Sequence, residues 1–318
     1  MVLSEATVPG SLKEICKLVV PVFKHIFVFC SILFWVSCNT KQDVHSESVK
    51  IDSVVVLCDP SWESILRTFI TTYEGLNRNK KIILFVKPET ECVSDLLNDR
   101  YRTVFVSRDL TTQEKEVMKK KQWRIKNDTL CYDGLTWIAP ISFPKDSLTI
   151  DEIKELFQTG TYNGNSYSIQ LNSSGSSVAN YLTNFFGMPP STAHLYIGGS
   201  DEAILKSVKA HSNALACISS GWLVNLEDKK HRDYLSSIKV LKISKSAHDL
   251  AYSSFQNDLA LGKYPFKRTL LVLNHDAPTG SGTAFASFLI GNRGQRVFLK
   301  AGLLPYKMPA REVEFTKQ

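Results

Sequence analysis

The sequence has no Gly-x-Ser-x-Gly elbow and no His-Glu-x-x-His pair, so two common hydrolase signatures are absent. None of its seven cysteines shows the Cys-x-x-Cys spacing of a metal site. Apart from Lys119-Lys-Lys121 there is no run of positive charge, and a run that short is ordinarily a solvated helix end. No aromatic-basic motif accompanies it, which argues against a nucleic-acid partner. Internal repeats and low-complexity segments are also missing. The expectation is a protein with no catalytic residue, no cofactor and no metal.

What is present begins with an address. Residues 26–36 are uncharged and apolar, with Lys24 and His25 in front and Ser37-Cys38 behind, followed by polar Asn39 to Asp43. That run is too short for a spanning helix, which needs about 20 residues, but suits a signal-peptide core. A small residue, a Cys and a polar tail form a lipobox-like site, although Trp35 stands where Leu is usual. Residues 1–37 therefore read as a signal peptide. Cys38 reads as the lipidated first residue, and residues 38–49 as a polar tether on the outer face of a bacterial membrane. Glu5 and Glu14 are unusual ahead of such a core, which suggests a translation start near Val22.

Removing the leader takes away three Lys and two Glu, so the net charge falls from +7 to +6. A mildly positive field suits a small anionic ligand or an acidic membrane surface. The remaining chain is long enough for two packed lobes. Cys58, Cys92, Cys131 and Cys217 lie in or beside strand-like runs and could be buried thiols or disulfides.

Hydrophobic periodicity predicts strands at 51–57, 81–86, 102–106, 130–139, 168–171, 214–218, 238–243 and 270–274. Helices are predicted at 62–73, 93–97, 111–120, 149–159, 176–186, 201–210, 282–290 and 293–301. Thr111 with Glu114, and Thr149 with Glu152, are capping boxes. Strands alternating with helices predict an α/β fold with a parallel sheet. Hydroxyl-rich turns fall between these elements: Asp59-Pro-Ser61, Ser107-Arg108, Asp133-Gly134, Asn172-Ser-Ser-Gly-Ser-Ser177 and Ser219-Ser-Gly221. Turns at strand ends that open helices are natural anion cradles, although each alone is also ordinary cap chemistry. Ser174, His275 and Asp276 could in principle form a hydrolytic triad, but no spacing places them together.

Several stretches carry a family resemblance over residues 54–315. They are Val106-Ser-Arg-Asp-Leu-Thr-Thr-Gln-Glu114, Tyr132-Asp-Gly-Leu135 and Leu148-Thr-Ile-Asp-Glu-Ile-Lys-Glu-Leu-Phe157, with the Ser-Gly-Ser turn at 174–176. Lys263-Tyr-Pro-Phe-Lys-Arg268, Phe285-Ala-Ser-Phe-Leu-Ile-Gly-Asn-Arg-Gly-Gln295 and Lys300-Ala-Gly-Leu-Leu-Pro305 complete the set. Together they resemble the PstS-like phosphate-binding proteins of bacterial ABC importers. The resemblance implies a two-lobed, type II periplasmic-binding-protein fold that closes on its ligand. It places the first lobe at 50–135, the second at 136–240, and a return to the first at 241–318. It implies phosphate or a related oxyanion as ligand and an ABC permease as partner, with the membrane reached through the lipid. Ligand contacts would come from Ser61, Ser107, Arg108, Asp133, Ser174, Gly175, Ser176 and Ser177.

Three departures matter. Cys58-Asp-Pro-Ser61 replaces a Gly-Ser-Thr-like turn, and Lys87-Pro-Glu-Thr-Glu91 replaces a Gly-Ser-Gly-rich one. Gln170 stands where an Arg is expected, which removes a bidentate phosphate partner unless Arg108 substitutes. A binding-protein-like sensor or envelope module with a degenerate site is the competing expectation.

Overall fold

Strand β1 (Asp52–Cys58) is rich in Val and becomes buried along its length, and its neighbours β2 (Lys80–Val86) and β3 (Thr103–Val106) both pair with it in parallel. β-branched residues flanked on both sides suit such a strand. The computed structural model describes residues 51–187, 194–223 and 229–309. The leader, Cys38 and the tether lie outside the described residues.

Between these strands run helices α1 (Glu63–Leu76) and α2 (Glu89–Leu97), and α3 (Thr112–Lys120) follows β3. Helix α1 buries Ile65, Leu66, Phe69 and Tyr73, the spacing of one helical face. Both expected capping boxes are formed, at α3 and at α4 (Ile150–Thr159). Gly160 closes α4 with a φ of 66°, and a Cβ there would lie 2.1 Å from the His194 side chain, so the position requires glycine.

The long strand β4 (Lys126–Pro140) joins two regions. Beyond it come β5 (Ser168–Leu171), β6 (Leu195–Ile197), β7 (Ala214–Ser219), β8 (Ile238–Val240), β9 (Lys267–Asn274) and β10 (Leu304–Pro305). Among the described residues these form one sheet in the order β2-β1-β3-β9-β4-β7-β5-β6, with β8 and β10 also on β4. β9 pairs with β4 up to Gly134, and β7 takes over from Leu135. Gly134 sits at this changeover, where a Cβ would meet the Ser254 carbonyl oxygen at 2.4 Å. The sheet is mixed, not parallel throughout as the alternation of elements suggested. The chain crosses on β4 and returns on β9, so these adjacent strands run antiparallel.

Each lobe has its own core. Trp62, Phe69, Phe105, Phe285 and Phe298 pack in the first, beneath helices α1, α7 (Ser281–Ile290) and α8 (Asn292–Lys300). Trp137, Phe157, Phe186 and Phe266 pack in the second, with α4 and α5 (Ser177–Phe186). Helix α6 (Asp201–Ala210) covers β7 with Ile204, Leu205 and Val208. Leu241, Ile243, Leu259 and Tyr264 also belong to the second core, while Gln256 between them donates to the carbonyl oxygen of Leu303 in the first.

Cys58, Cys92, Cys131 and Cys217 are free, buried thiols, which decides between the two sequence alternatives. Burial pushes all four thiols upward. Maleimide should label none of them quickly in the native protein and all four after denaturation, as counted by mass spectrometry. Rapid native labelling of any one would contradict the packing.

Candidate functional site

Three element N-termini converge between the lobes. β1 runs into Asp59, which caps the 3-10 turn Pro60–Trp62 and accepts the Ser61 N–H at 3.0 Å. Pro60 presets the turn, and the Asp59 N–H is held by the Phe105 carbonyl oxygen at 3.2 Å. Asp59 Oδ2 also accepts the N–H of Glu89, the first residue of α2, at 3.2 Å. From the second lobe it accepts the N–H of Ser177, the first residue of α5, at 2.8 Å. The Ser177 hydroxyl donates to Asp59 Oδ1 at 2.6 Å, and the Ser61 hydroxyl donates to the same oxygen. These two hydroxyl oxygens lie 2.8 Å apart. Helix N-termini present unpaired N–H groups and a partial positive charge, so they favour an anion at such a point.

Arg268 on β9 supplies the cation. Its Nη1 donates to Ser177 Oγ at 2.7 Å and to Ser61 Oγ at 3.4 Å, and the guanidinium carbon lies 4.7 Å from the centre of the Trp62 ring. Nε and Nη2 donate to Asp133 Oδ2 at 3.0 and 2.9 Å. Asp133 Oδ1 receives the backbone N–H and hydroxyl of Ser220. All these polar side chains are buried.

A second carboxylate lies beside the first. Glu89 accepts the Ser107 N–H at 2.7 Å and the Asn180 amide at 3.0 Å. Burial pushes its carboxyl above the ordinary range, with the Asn180 hydrogen bond opposing. Next to it is a cavity of ≈310 Å³ lined in part by Arg108, Asn180, Tyr181 and Phe185. On the far side, Glu63, Ser64, Arg67 and Asp201 line part of another cavity, of ≈530 Å³.

The structure brings together Ser61, Ser177 and, behind Arg268, Asp133. Ser107 sits at the edge, where its hydroxyl accepts from Trp62 Nε1 at 2.8 Å. Arg108 is committed to a two-pronged pair with Glu114 at 2.7 and 2.8 Å, and its Nε stays 3.9 Å from Glu89. Ser176 caps α5, the Gly175 carbonyl accepts the Thr90 N–H, and Ser174 is exposed at the turn. Gln170 points to Ser207 on α6 at 2.9 Å, so no group from that position enters the cradle. The triad does not assemble: His275 stacks on Trp123 and lies 3.5 Å from Asp99 in the first lobe. No group of His, Cys, Asp and Glu among the described residues is arranged to hold a metal ion.

Sequence reasoning missed Asp59, Glu89 and Arg268 as members of the site. Asp-Pro-Ser reads as a cap, and Arg268 sits in a strand with no local motif around it; only strand pairing puts it opposite Asp133.

The fold and this interlobe geometry define a binding-protein architecture. A family model described as a PBP superfamily domain matches residues 43–293, and the chain belongs to that superfamily. No curated protein matches the sequence. Among solved structures, a Clostridium perfringens protein described as a phosphate ABC transporter substrate-binding protein, with bound phosphate, is similar at a TM-score of 0.68 and 17% identity. The match covers 80% of this chain and all of that one. An ABC-type phosphate transport receptor from Vibrio cholerae matches at 0.60 and 16%, with 80% and 100% covered. The regulatory domain of CcmR from Synechocystis, in complex with 2-PG, matches at 0.51 and 14%, with 75% and 95% covered. At these identities the likeness is one of fold, and the fold is used by transport receptors and by a regulator alike.

Proposed function

We infer that this protein is an extracytoplasmic clamp for a small oxyanion, with phosphate the first candidate, held to the membrane by a lipid on Cys38 and serving an ABC permease. The observation that carries this reading is the convergence of three element N-termini and Arg268 on one carboxylate-sized point between two lobes. That donor set is the chemistry of oxyanion recognition, and the solved phosphate-binding proteins of the same fold support it. We place the first lobe at 51–134 and 267–309, and the second at 135–266, since Leu241, Ile243, Leu259 and Tyr264 pack into the second core. Ser61 would contribute from the first lobe and Ser177 from the second, so ligand would gain its full contact set only on closure. Ser107, Arg108 and residues 174–176 line the approach.

A second reading is favoured by Asp59 itself, whose carboxylate uses the cradle's donors, and by Gln170 in place of an Arg. In that reading the same fold serves as a sensor or an envelope interaction module. Calorimetric titration of the purified protein with phosphate, sulfate and related oxyanions separates the two. Saturable heat with compaction in small-angle scattering supports the clamp; absence of heat with every oxyanion supports the module.

A further inference from the structure

The Asp59 carboxylate receives what a bound oxyanion would receive. Three backbone N–H groups reach it at 3.0, 3.2 and 2.8 Å, from the 3-10 turn, α2 and α5, and the hydroxyls of Ser61 and Ser177 complete the set. A simple cap would engage only its own turn, but Glu89 lies 30 residues away and Ser177 lies 118. We propose that Asp59 is an internal occupant of the oxyanion cradle, competing with any external anion and setting the affinity of the site.

This inference rests on the oxyanion reading of the cradle. Two consequences follow from the geometry. An external anion finds the donors already engaged, and it meets the Asp59 and Asp133 carboxylates against the one guanidinium of Arg268. To bind, it must displace the Asp59 side chain, and every hydrogen bond that side chain gives up reduces the net gain. The same contact also links the lobes, because Asp59 belongs to the first and Ser177 to the second. Asp59 therefore substitutes for ligand twice, as an anion and as a bridge.

The test uses inorganic phosphate on the purified full chain and on two variants. Asp59→Ala removes the carboxylate and so frees the donors it engages, and it leaves an extended backbone (φ −65°, ψ 146°) that Ala accepts. Asp59→Asn removes the charge but keeps the volume. Titration calorimetry should show Asp59→Ala binding phosphate roughly a hundredfold or more tighter than the parent, with no such gain for Asp59→Asn. If Asp59→Ala is poorly folded, thermal melts give the same readout. Phosphate, or acetate in place of the deleted carboxylate, should then raise the melting temperature of the variant far more than that of the parent. Micromolar binding by the parent with no gain in Asp59→Ala overturns the role of Asp59 and leaves the oxyanion clamp standing. No effect of phosphate, sulfate or acetate on parent or variant overturns both.

Discussion

Arg268→Ala should destabilise the folded protein by about 3–5 kcal/mol, the largest loss expected from any single change at the site. The side chains of Arg268 and Asp133 are 1% and 0% exposed. Ser220 holds one Asp133 oxygen, and among the described residues Arg268 alone holds the other. Deleting the guanidinium strands a carboxylate away from water, and a buried unpaired charge costs far more than the pair contributes. It also removes the cation that backs the Ser61 and Ser177 hydroxyls. Urea unfolding of Arg268→Ala, Asp133→Asn and the double variant makes the comparison. The double variant should lose less than the sum of the singles. A cost below about 1 kcal/mol for Arg268→Ala would mean that the pair is solvated in solution.

The second large effect is on pH dependence, and it centres on Asp201. This residue opens α6 almost fully buried. One carboxyl oxygen accepts the Asn172 amide at 2.9 Å, and the other has no hydrogen-bond partner among the described residues. Desolvation pushes its pKa up to about 7; the Asp59 charge adds to the rise, while Arg268 and Asn172 oppose it. In the unfolded chain the group titrates near 3.8. Between those values the folded state keeps a proton that the unfolded state has released, so stability falls as pH rises through this window. The loss amounts to about 4 kcal/mol and is complete above the folded pKa. Asp201→Asn should flatten this component and be more stable than the parent at pH 8. Parallel profiles for parent and variant across pH 4–8, from urea midpoints, would rule it out.

Much of the fold was legible because each element follows a local rule. The strand at 168–171 and the helix at 201–210 fall where periodicity placed them, and both Thr-x-x-Glu boxes close as their spacing requires. The strand at Leu195–Ile197 was not anticipated: it is short and half-exposed, so it carries little hydrophobic signal. The predicted strand 238–243 is two strands, one on β4 and one on Ser147–Thr149. The site was half legible. Ser61 and Ser177 were found because helix starts rich in hydroxyls have a sequence signature. Arg108 looked like the missing cation, yet Glu114, six residues on, engages its guanidinium within the same segment. Arg268 and Asp59 owe their roles to pairings across 135 and 118 residues, which no local pattern records.

The fifteen residues of β4 have a consequence for how the molecule comes apart. One continuous strand donates Leu130 and Cys131 to the first core, and Leu135, Trp137 and Ala139 to the second. No linker separates the two, so expressing either lobe alone would strip it of a central strand or leave that strand's other half bare. Proteolysis that opens one core withdraws a wall from the other. Melting is therefore expected to proceed as one event, and the unit that evolution can copy or discard is the whole two-lobed fold.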